Sequence, residues 1–459
     1  FLSAFTEGLL RSKHGVEAPL PEMPVTRIAP GHRWTLGPFD IECIAVAHSI
    51  PESMALAIRT PLGLAVHTGD WKLDDEPLVG PPTNAGRFEE LGEEGVTALI
   101  CDSTNAIRDG RSISEGDVAR ELAAIVANAK GRVAFTLFSS NVARLRSIAK
   151  AAMAAGREVV VSGRAIRRVI DVASELGYLD GLPSFRDIDD LEHLPAQNVV
   201  LILSGSQGEA RAALARVAAG EDRRVRLGPG DLVVFSSRPI PGNERDVIDI
   251  INRLVAFGVA VITDRDRLVH ASGHPRRDEL RDLYAWVRPD VLVPVHGEPL
   301  HLAAQRTLAI AAGIATVLDA ANGNIARLAP TPATIPSAIP VGRIYRDGAV
   351  IGDADIVGVK LRRRMSFGGH IAIALCVDRH GDVIGGPEAV LTGIPQLAPD
   401  GTPMADVAAG AVKGAIAGLP RPMRRDRESL ERAIRHAVRG EVAERWGRKP
   451  VCVVQIISV

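Results

Sequence analysis

The 459-residue chain is poor in cysteine, in aromatic residues and in net charge, and each shortage narrows what it can be. Its four cysteines, Cys43, Cys101, Cys376 and Cys452, stand far apart. A disulfide framework or a Cys-x-x-Cys zinc site is therefore not expected, and a reducing, cytoplasmic setting is. Aromatic residues make up 4%, too few for a stacking groove over the whole surface. Lys plus Arg number 54 against 55 Asp plus Glu, for a net charge of −1. That balance argues against holding nucleic acid by a general basic coat, though not against a local phosphate site. The cations are mostly Arg, which suits bidentate phosphate contacts. No uncharged apolar run of about 18 residues occurs, so no membrane-spanning helix is expected. Internal repeats and low-complexity tracts are absent too.

What is present points to a folded, multidomain protein. Hydrophobic residues make up 46% and charged residues 24%, enough apolar surface for a large core. At about 100–200 residues per domain, the length predicts two to four domains. The first residue is Phe1, and Phe1–Lys13 reads as an amphipathic helical end. Its charges follow its apolar residues, the reverse of a secretory signal, so the chain is expected to begin inside a domain.

Short β-branched runs alternate with helical stretches. The predicted strands are 41–46, 63–67, 98–101, 132–138, 158–161, 199–203, 232–235, 260–263 and 291–294. The predicted helices are 115–128, 142–155, 164–176, 209–219, 244–257, 278–286 and 301–312. This alternation means an α/β architecture with largely parallel sheets. Ser112 and Glu115 have capping-box spacing ahead of the first of these helices. The stretch 329–340 holds four prolines and predicts an extended connector. After it, 342–359 alternates like short strands. Strands at 371–377 and 451–459 and a helix over 424–446 predict a separate small α/β domain. The basic run Arg362-Arg363-Arg364 reads as a solvated face before an RNA contact.

Four motifs place His and Asp at strand exits: Ala47–Glu52 with His48, His67–Asp70, His270–His274, and Pro294–Glu298 with His296. In open α/β folds ligands gather beyond the carboxyl ends of strands. Imidazole and carboxylate are the usual ligands of zinc, and glycine lets a loop pass close to metal or phosphate. A lone His at a strand end is more often a hydrogen-bonded loop residue, and Asp after Gly a turn residue. The joint occurrence of all four motifs predicts a metal-dependent hydrolase.

The set AHSIPES, HTGDWK, DSTN, SGSQGE, FSSRPIPGN, HASGHP and PVHGE resembles the ribonuclease J family, of the β-CASP branch of the metallo-β-lactamase superfamily. The likeness runs to about Arg327, and the tail is similar to the family's linker and C-terminal domain. It implies a metallo-β-lactamase fold, an αββα sandwich incomplete at its N-terminus. A β-CASP domain is inserted in it, and a small C-terminal α/β domain follows. The implied layout is a first metallo-β-lactamase part over 1–114, β-CASP over 115–278, the second metallo-β-lactamase part over 279–328, a linker over 329–360 and the C-terminal domain over 361–459.

The resemblance also implies roles. His48, Asp70 and His296 would be metal ligands, with Asp70 bridging two Zn2+ and sharing in catalysis. Asp102 would orient a metal-ligand His from behind. His274 would lie beside the scissile phosphate and stabilise charge or move a proton. Ser139, Ser140, Asn141, His270, Ala271, Ser272, Gly273 and His274 would hold the 5′-terminal phosphate and nucleotide. Ser139–Asn141 also read as the cap of the helix that follows. The implied activity is a zinc-dependent ribonuclease on single-stranded RNA. It would be a 5′-to-3′ exonuclease preferring 5′-monophosphate ends, with endonucleolytic entry, and a homodimer or homotetramer through the C-terminal domain.

The family's His-x-His-x-Asp-His ligand motif is absent from these residues. The expectation is a chain lacking the family's N-terminal part and inactive alone. The competing readings are another β-CASP nuclease acting on DNA or RNA ends, a thioester hydrolase of the same superfamily, and a non-catalytic RNA-binding fragment. The long segment between Asp102 and His274 disfavours the thioester hydrolase, since a small substrate needs no second lobe.

Overall fold

Runs of Val, Ile and Leu set the strands, and the strands sort into two large sheets and one small hairpin within residues 1–339. A computed structural model describes residues 1–17 and 24–459. Phe1–Ile339 and Pro340–Val459 form two compact units.

The strands of the two large sheets are β1 (Arg33–Leu36), β2 (Phe39–Ala45), β3 (Met54–Thr60), β4 (Gly63–His67), β5 (Val96–Asp102), β6 (Val133–Thr136), β7 (Glu158–Ser162), β8 (Arg186–Asp187), β9 (Val199–Leu203), β10 (Leu232–Phe235), β11 (Ala260–Ile262), β12 (Val291–Val295) and β13 (Thr316–Val317). The helices of the first unit are α1 (Ala4–Glu17), α2 (Ala85–Glu94), α3 (Glu115–Asn128), α4 (Val142–Ala154), α5 (Arg164–Glu175), α6 (Ala213–Ala218), α7 (Glu244–Ala256), α8 (Arg277–Val287) and α9 (Pro299–Ala311).

One sheet has the order β1-β2-β3-β4-β5-β12-β13. Its first three pairings are antiparallel and its last three parallel. Phe88, Leu91, Leu280, Leu283 and Leu308 of α2, α8 and α9 pack on one face. The other face buries Ala98, Val291 and Val293 against Leu318, Ala326 and Leu328. The second sheet, β11-β10-β6-β9-β7-β8, is parallel throughout. Buried on both faces, its central strand β9 is a continuous apolar run, Val-Val-Leu-Ile-Leu. Val200 and Ile202 face the side covered by α3, α4 and α5, and Val199, Leu201 and Leu203 face α6 and α7. This sheet is the insertion between β5 and β12.

Several details depart from the expected elements. Strands β1 and β3 and helix α2 were not foreseen: β1 and α2 hold few apolar residues, and β3 is apolar at five of its seven positions without polar alternation. The helix expected from Glu209 starts at Ala213: Gly208 takes φ +81°, and Glu209 accepts the Gln207 amide in a turn. Ser112 and Glu115 form no capping box. Ser114 caps α3, Ser112 Oγ donates to the His274 carbonyl, and Glu115 is committed to Arg144. Within the proline-rich stretch, Ala333–Ile335 pairs with Ile325–Arg327 as a small hairpin.

In the second unit, a short hairpin at Tyr345–Asp347 and Val350–Gly352 precedes a three-stranded sheet. There His370–Val377 pairs antiparallel with Val383–Thr392 and parallel with Val451–Ser458. Met404–Gly418 and Arg427–Trp446 supply its helical layer through Val412, Ile416, Ile434 and Val438. The first of these helices was not foreseen, since its glycines weaken helical propensity. The second was expected from Arg424. It starts at Arg427 because Asp426 accepts the Ser429 amide and caps it. Arg362–Arg364 lie on the exposed helix Val359–Gly368, and Arg362 pairs with Asp347. No helix among the described residues is long and apolar enough to cross a membrane.

Candidate metal centre

Four loops meet beyond the strand ends of the first sheet. The segment after β2 carries His48, and the turn after β4 carries Asp70. The loop after β12 carries His296, and the segment between β11 and α8 carries His274. Two of these loops are tied together by Lys72. Its amide donates to the Ala47 carbonyl at 2.8 Å, and Thr83 Oγ1 donates to the Lys72 carbonyl at 2.6 Å. Gly69 takes φ +59° in the Asp70 turn, and an added Cβ would meet the Met54 carbonyl oxygen at 3.0 Å. A side chain there would push Asp70 out of place.

The imidazoles are held in defined tautomers. His48 Nδ1 donates to the Gly273 carbonyl at 2.7 Å, which leaves Nε2 as a lone-pair donor facing Asp70 Oδ2 at 3.9 Å. Burial lowers the His48 pKa and keeps the ring neutral, the form that binds metal. Thr104 Oγ1 donates to the His296 carbonyl at 2.9 Å and accepts from His296 Nδ1 at 2.8 Å. His296 Nε2 then faces Asp70 Oδ1 at 3.6 Å. The His296 backbone is left-handed, φ +57°, a strained setting for a residue with a Cβ and one that aims the ring inward.

These donors fit a divalent cation. Two ligands each about 2.1 Å from a tetrahedral zinc stand about 3.4 Å apart. The observed 3.6 and 3.9 Å on either side of Asp70 come close to that. The carboxylate offers one oxygen to each imidazole, the disposition of a bridging ligand. A tighter grouping of ligand atoms, within 4.8 Å of one another, joins Asp70, Asp102, His274 and His296. Asp102 is fully buried and already occupied, however. Its Oδ2 accepts from His274 Nδ1 at 2.6 Å and its Oδ1 from the Thr104 amide at 2.8 Å. Burial alone would raise its pKa, but the hydrogen bonds from His274 and His296 hold it well below the usual carboxylate range. The His274 ring stands between the other two, its centroid 5.0 Å from His48 and 5.3 Å from His296.

The remaining predicted residues lie around this centre. In the His270–His274 loop, Ala271 is buried, and an added Cβ on Gly273 would meet the His48 ring at 2.5 Å. His270 is desolvated and faces Arg144, Arg238 and Lys72, which push its pKa down to about 3. It is neutral at physiological pH, and its Nδ1 has no partner among the described residues. Ser139, Ser140 and Asn141 follow β6. Asn141 Oδ1 accepts the Arg144 amide at 2.9 Å and caps α4. Ser139 and Ser140 line a cavity of about 480 Å³ with Ser204–Gln207 and Arg168. No hydrogen bond among the described residues links Ser139–Asn141 to His48, Asp70, His274 or His296.

The family described as "Ribonuclease J, beta-CASP domain" matches residues 130–254. "Zn-dependent metallo-hydrolase RNA specificity domain" matches 258–318, and "Ribonuclease J C-terminal domain" matches 357–459. A ribonuclease J of Sinorhizobium meliloti is 49% identical over all of this chain and 81% of its own length. The chain belongs to the ribonuclease J family. Other family members are similar over most of it. That of Mycolicibacterium smegmatis is 37% identical over 100% of this chain and 81% of its own. That of Corynebacterium glutamicum is 38% identical over 92% of this chain and 59% of its own. The ribonuclease J family consists of metal-dependent, RNA-binding nucleases, and its fold is the metallo-β-lactamase fold with an inserted β-CASP domain.

Three residues of this ribonuclease J site escaped the sequence analysis. Asn105 Nδ2 donates to Ser272 Oγ at 2.9 Å and to the His274 carbonyl at 3.0 Å. It shapes the His274 loop from the opposite sheet. Thr104 fixes His296, as above. Glu279 is fully buried and gathers the amides of Leu73, Ser112 and Arg276 at 2.7–2.8 Å. Thr104 and Asn105 belong to the DSTN motif and were within reach of the sequence. Glu279 sits in an ordinary amphipathic helix and gave no signal.

Proposed function

We propose that this protein hydrolyses phosphodiesters of single-stranded RNA, from the 5′ end in the 3′ direction and with endonucleolytic entry. The observation that carries the reading is the row His48–Asp70–His296, with His274 set among them by Asp102. His48, Asp70 and His296 would hold Zn2+, and the bound metal would supply an activated water and neutralise charge on the phosphate. The chain's own residues do the rest. Asp102 accepts the proton on His274 Nδ1 and so keeps Nε2 turned to the substrate. From there Nε2 can hand a proton to the leaving oxygen, and Asp102 stabilises the imidazolium beforehand. The backbone of Ser272–His274 and the hydroxyls of Ser139 and Ser140 grip the terminal phosphate without net charge.

Within this reading the catalytic domain spans 1–114 and 279–328, the β-CASP domain 115–278, the linker 329–360 and the C-terminal domain 361–459. The last is the seat of dimers or tetramers. Such a 5′ pocket would recognise a single terminal phosphate. RNA with a 5′-monophosphate should be degraded at least about tenfold faster than the same RNA with a 5′-triphosphate, a difference of about 1.4 kcal/mol. Equal rates would sink the pocket, and faster cleavage of matched single-stranded DNA would sink the RNA assignment.

We also propose that these 459 residues alone hold fewer than two zinc ions and cleave weakly. Three donors, one of them shared, do not complete two tetrahedral sites. Elemental analysis of chelator-free protein should find well under two zinc per chain. Two per chain would mean that other residues are ligands.

A further inference from the structure

The parallel sheet has a topological reversal that the metal chemistry does not use. Strands β9 and β7 are neighbours. From β9 the chain turns back through α6 to β10, on the far side of β6. From β7 it runs outward through α5 to β8. The two exits diverge, α5 on one face and α6 on the other, and a crevice opens between them. In open α/β sheets such a point is where small ligands bind.

This crevice is a cavity of about 710 Å³, within the usual range for small-molecule sites. Ser162 and Ser204 lie at its floor, and six arginines line it: Arg164, Arg167, Arg168, Arg211, Arg216 and Arg224. Three have carboxylate partners. Arg216 meets Asp222 at 3.0 Å, Arg224 meets Asp189 at 2.7 Å, and Arg167 stands 3.7 Å from Asp187. Arg164, Arg168 and Arg211 make no ion pair and no side-chain hydrogen bond among the described residues. The chain as a whole carries a net charge of −1, so this concentration of cations is local. Crowded guanidiniums repel one another, and an anion among them removes that repulsion. Phosphate is the anion that matches the planar donor fork of arginine.

We propose that this crevice is a second ligand site, independent of metal, that takes the phosphates of a free nucleotide such as a nucleoside 5′-diphosphate. It rests on the β-CASP sheet alone and stands whether or not the metal-centre reading does. A concave site at strand ends suits a compact ligand, whereas a strand of RNA needs an extended surface. Its wall at Ala165, Arg168 and Ser204 is shared with the cavity of Ser139 and Ser140, so an occupant would lie next to the proposed 5′ pocket.

The test is calorimetric titration of the 459-residue protein with ADP, in chelator. One saturable site per chain is expected. Each lost arginine–phosphate pair weakens binding by about tenfold, so Arg164→Gln/Arg211→Gln should bind roughly 100-fold more weakly. His274→Ala should bind as the unmodified protein does. Should the double variant fail to fold, hydrogen exchange on unmodified protein gives the same answer. ADP should slow exchange at residues 163–168 and leave 270–274 unchanged. Absence of ADP binding at about 1 mM, or equal affinity in the double variant, overturns the proposal. So does a loss confined to a single-stranded oligoribonucleotide, which would make the arginines an RNA contact.

Discussion

His274→Ala is expected to lower the rate of RNA cleavage by about 10²–10⁴-fold, the usual worth of a positioned proton-transfer group, and to leave the metal content unchanged. The geometry separates the two effects. His274 Nδ1 is spent on Asp102 at 2.6 Å, and the ring nitrogens that face Asp70, at 3.9 and 3.6 Å, belong to His48 and His296. On the proposed reading, removing the ring takes away a group that would lie beside the phosphate, while His48, Asp70 and His296 stay. The measurement pairs single-turnover cleavage of 5′-monophosphorylated RNA with elemental analysis, on metal-loaded protein that cleaves RNA. Loss of bound metal in the variant would make His274 a ligand. Unchanged cleavage would remove it from the chemistry altogether. Asp102→Asn is the companion: it keeps the shape but disturbs the tautomer, and should lower turnover more than substrate affinity.

Arg144→Ala should be the most damaging single change for stability, costing about 3–5 kcal/mol. Arg144 is fully buried on α4 and meets the buried Glu115 of α3 at 2.9 Å. The same guanidinium donates to the Val269 carbonyl at 2.8 Å and to that of Ser236 at 3.2 Å. Alanine would strand a carboxylate in the protein interior and remove one donor from each carbonyl, leaving Val269 the bond from Ser236 Oγ at 2.7 Å. Replacing both partners with apolar residues of similar size, Arg144→Met with Glu115→Leu, should cost less than Arg144→Ala alone, because no charge is left unpaired. Urea unfolding monitors both. A loss under about 1 kcal/mol for Arg144→Ala, the worth of a surface pair, would contradict the buried-pair account. Because Val269 immediately precedes the His270–His274 loop, the same variant should also loosen that loop.

The regular parts of this architecture were open to reading because burial on both faces leaves a plain mark. Strands β6, β7, β9 and β10 are short apolar runs, and their helices carry an apolar stripe. Strand β1 is the largely exposed edge of the mixed sheet, and β3 alternates the buried Ala55 and Ala57 with half-exposed neighbours and ends in Arg59 and Thr60, so neither shows the run of a doubly buried strand. The helix Met404–Gly418 was hidden by its glycines. At the site, motifs ending strands exposed His48, Asp70, His274 and His296 as candidates. Their joining was implied by the family resemblance and not by the residues alone, because it depends on long-range partners: Gly273 for His48, Asp102 for His274, Thr104 for His296. The arginine crevice was invisible for the same reason. Its six cations come from three separate stretches of a chain whose overall charge is nearly zero.

The hydrogen bond from His48 to the Gly273 carbonyl joins residues 225 positions apart, and that from His274 to Asp102 spans 172. Contacts that distant in sequence are slow to form, because the cost of closing the loop comes before the contact repays it. The tautomers of His48 and His274 are set by contacts between the first sheet and the segment that follows the second, so neither ring is fixed until both ends of the insertion are in place.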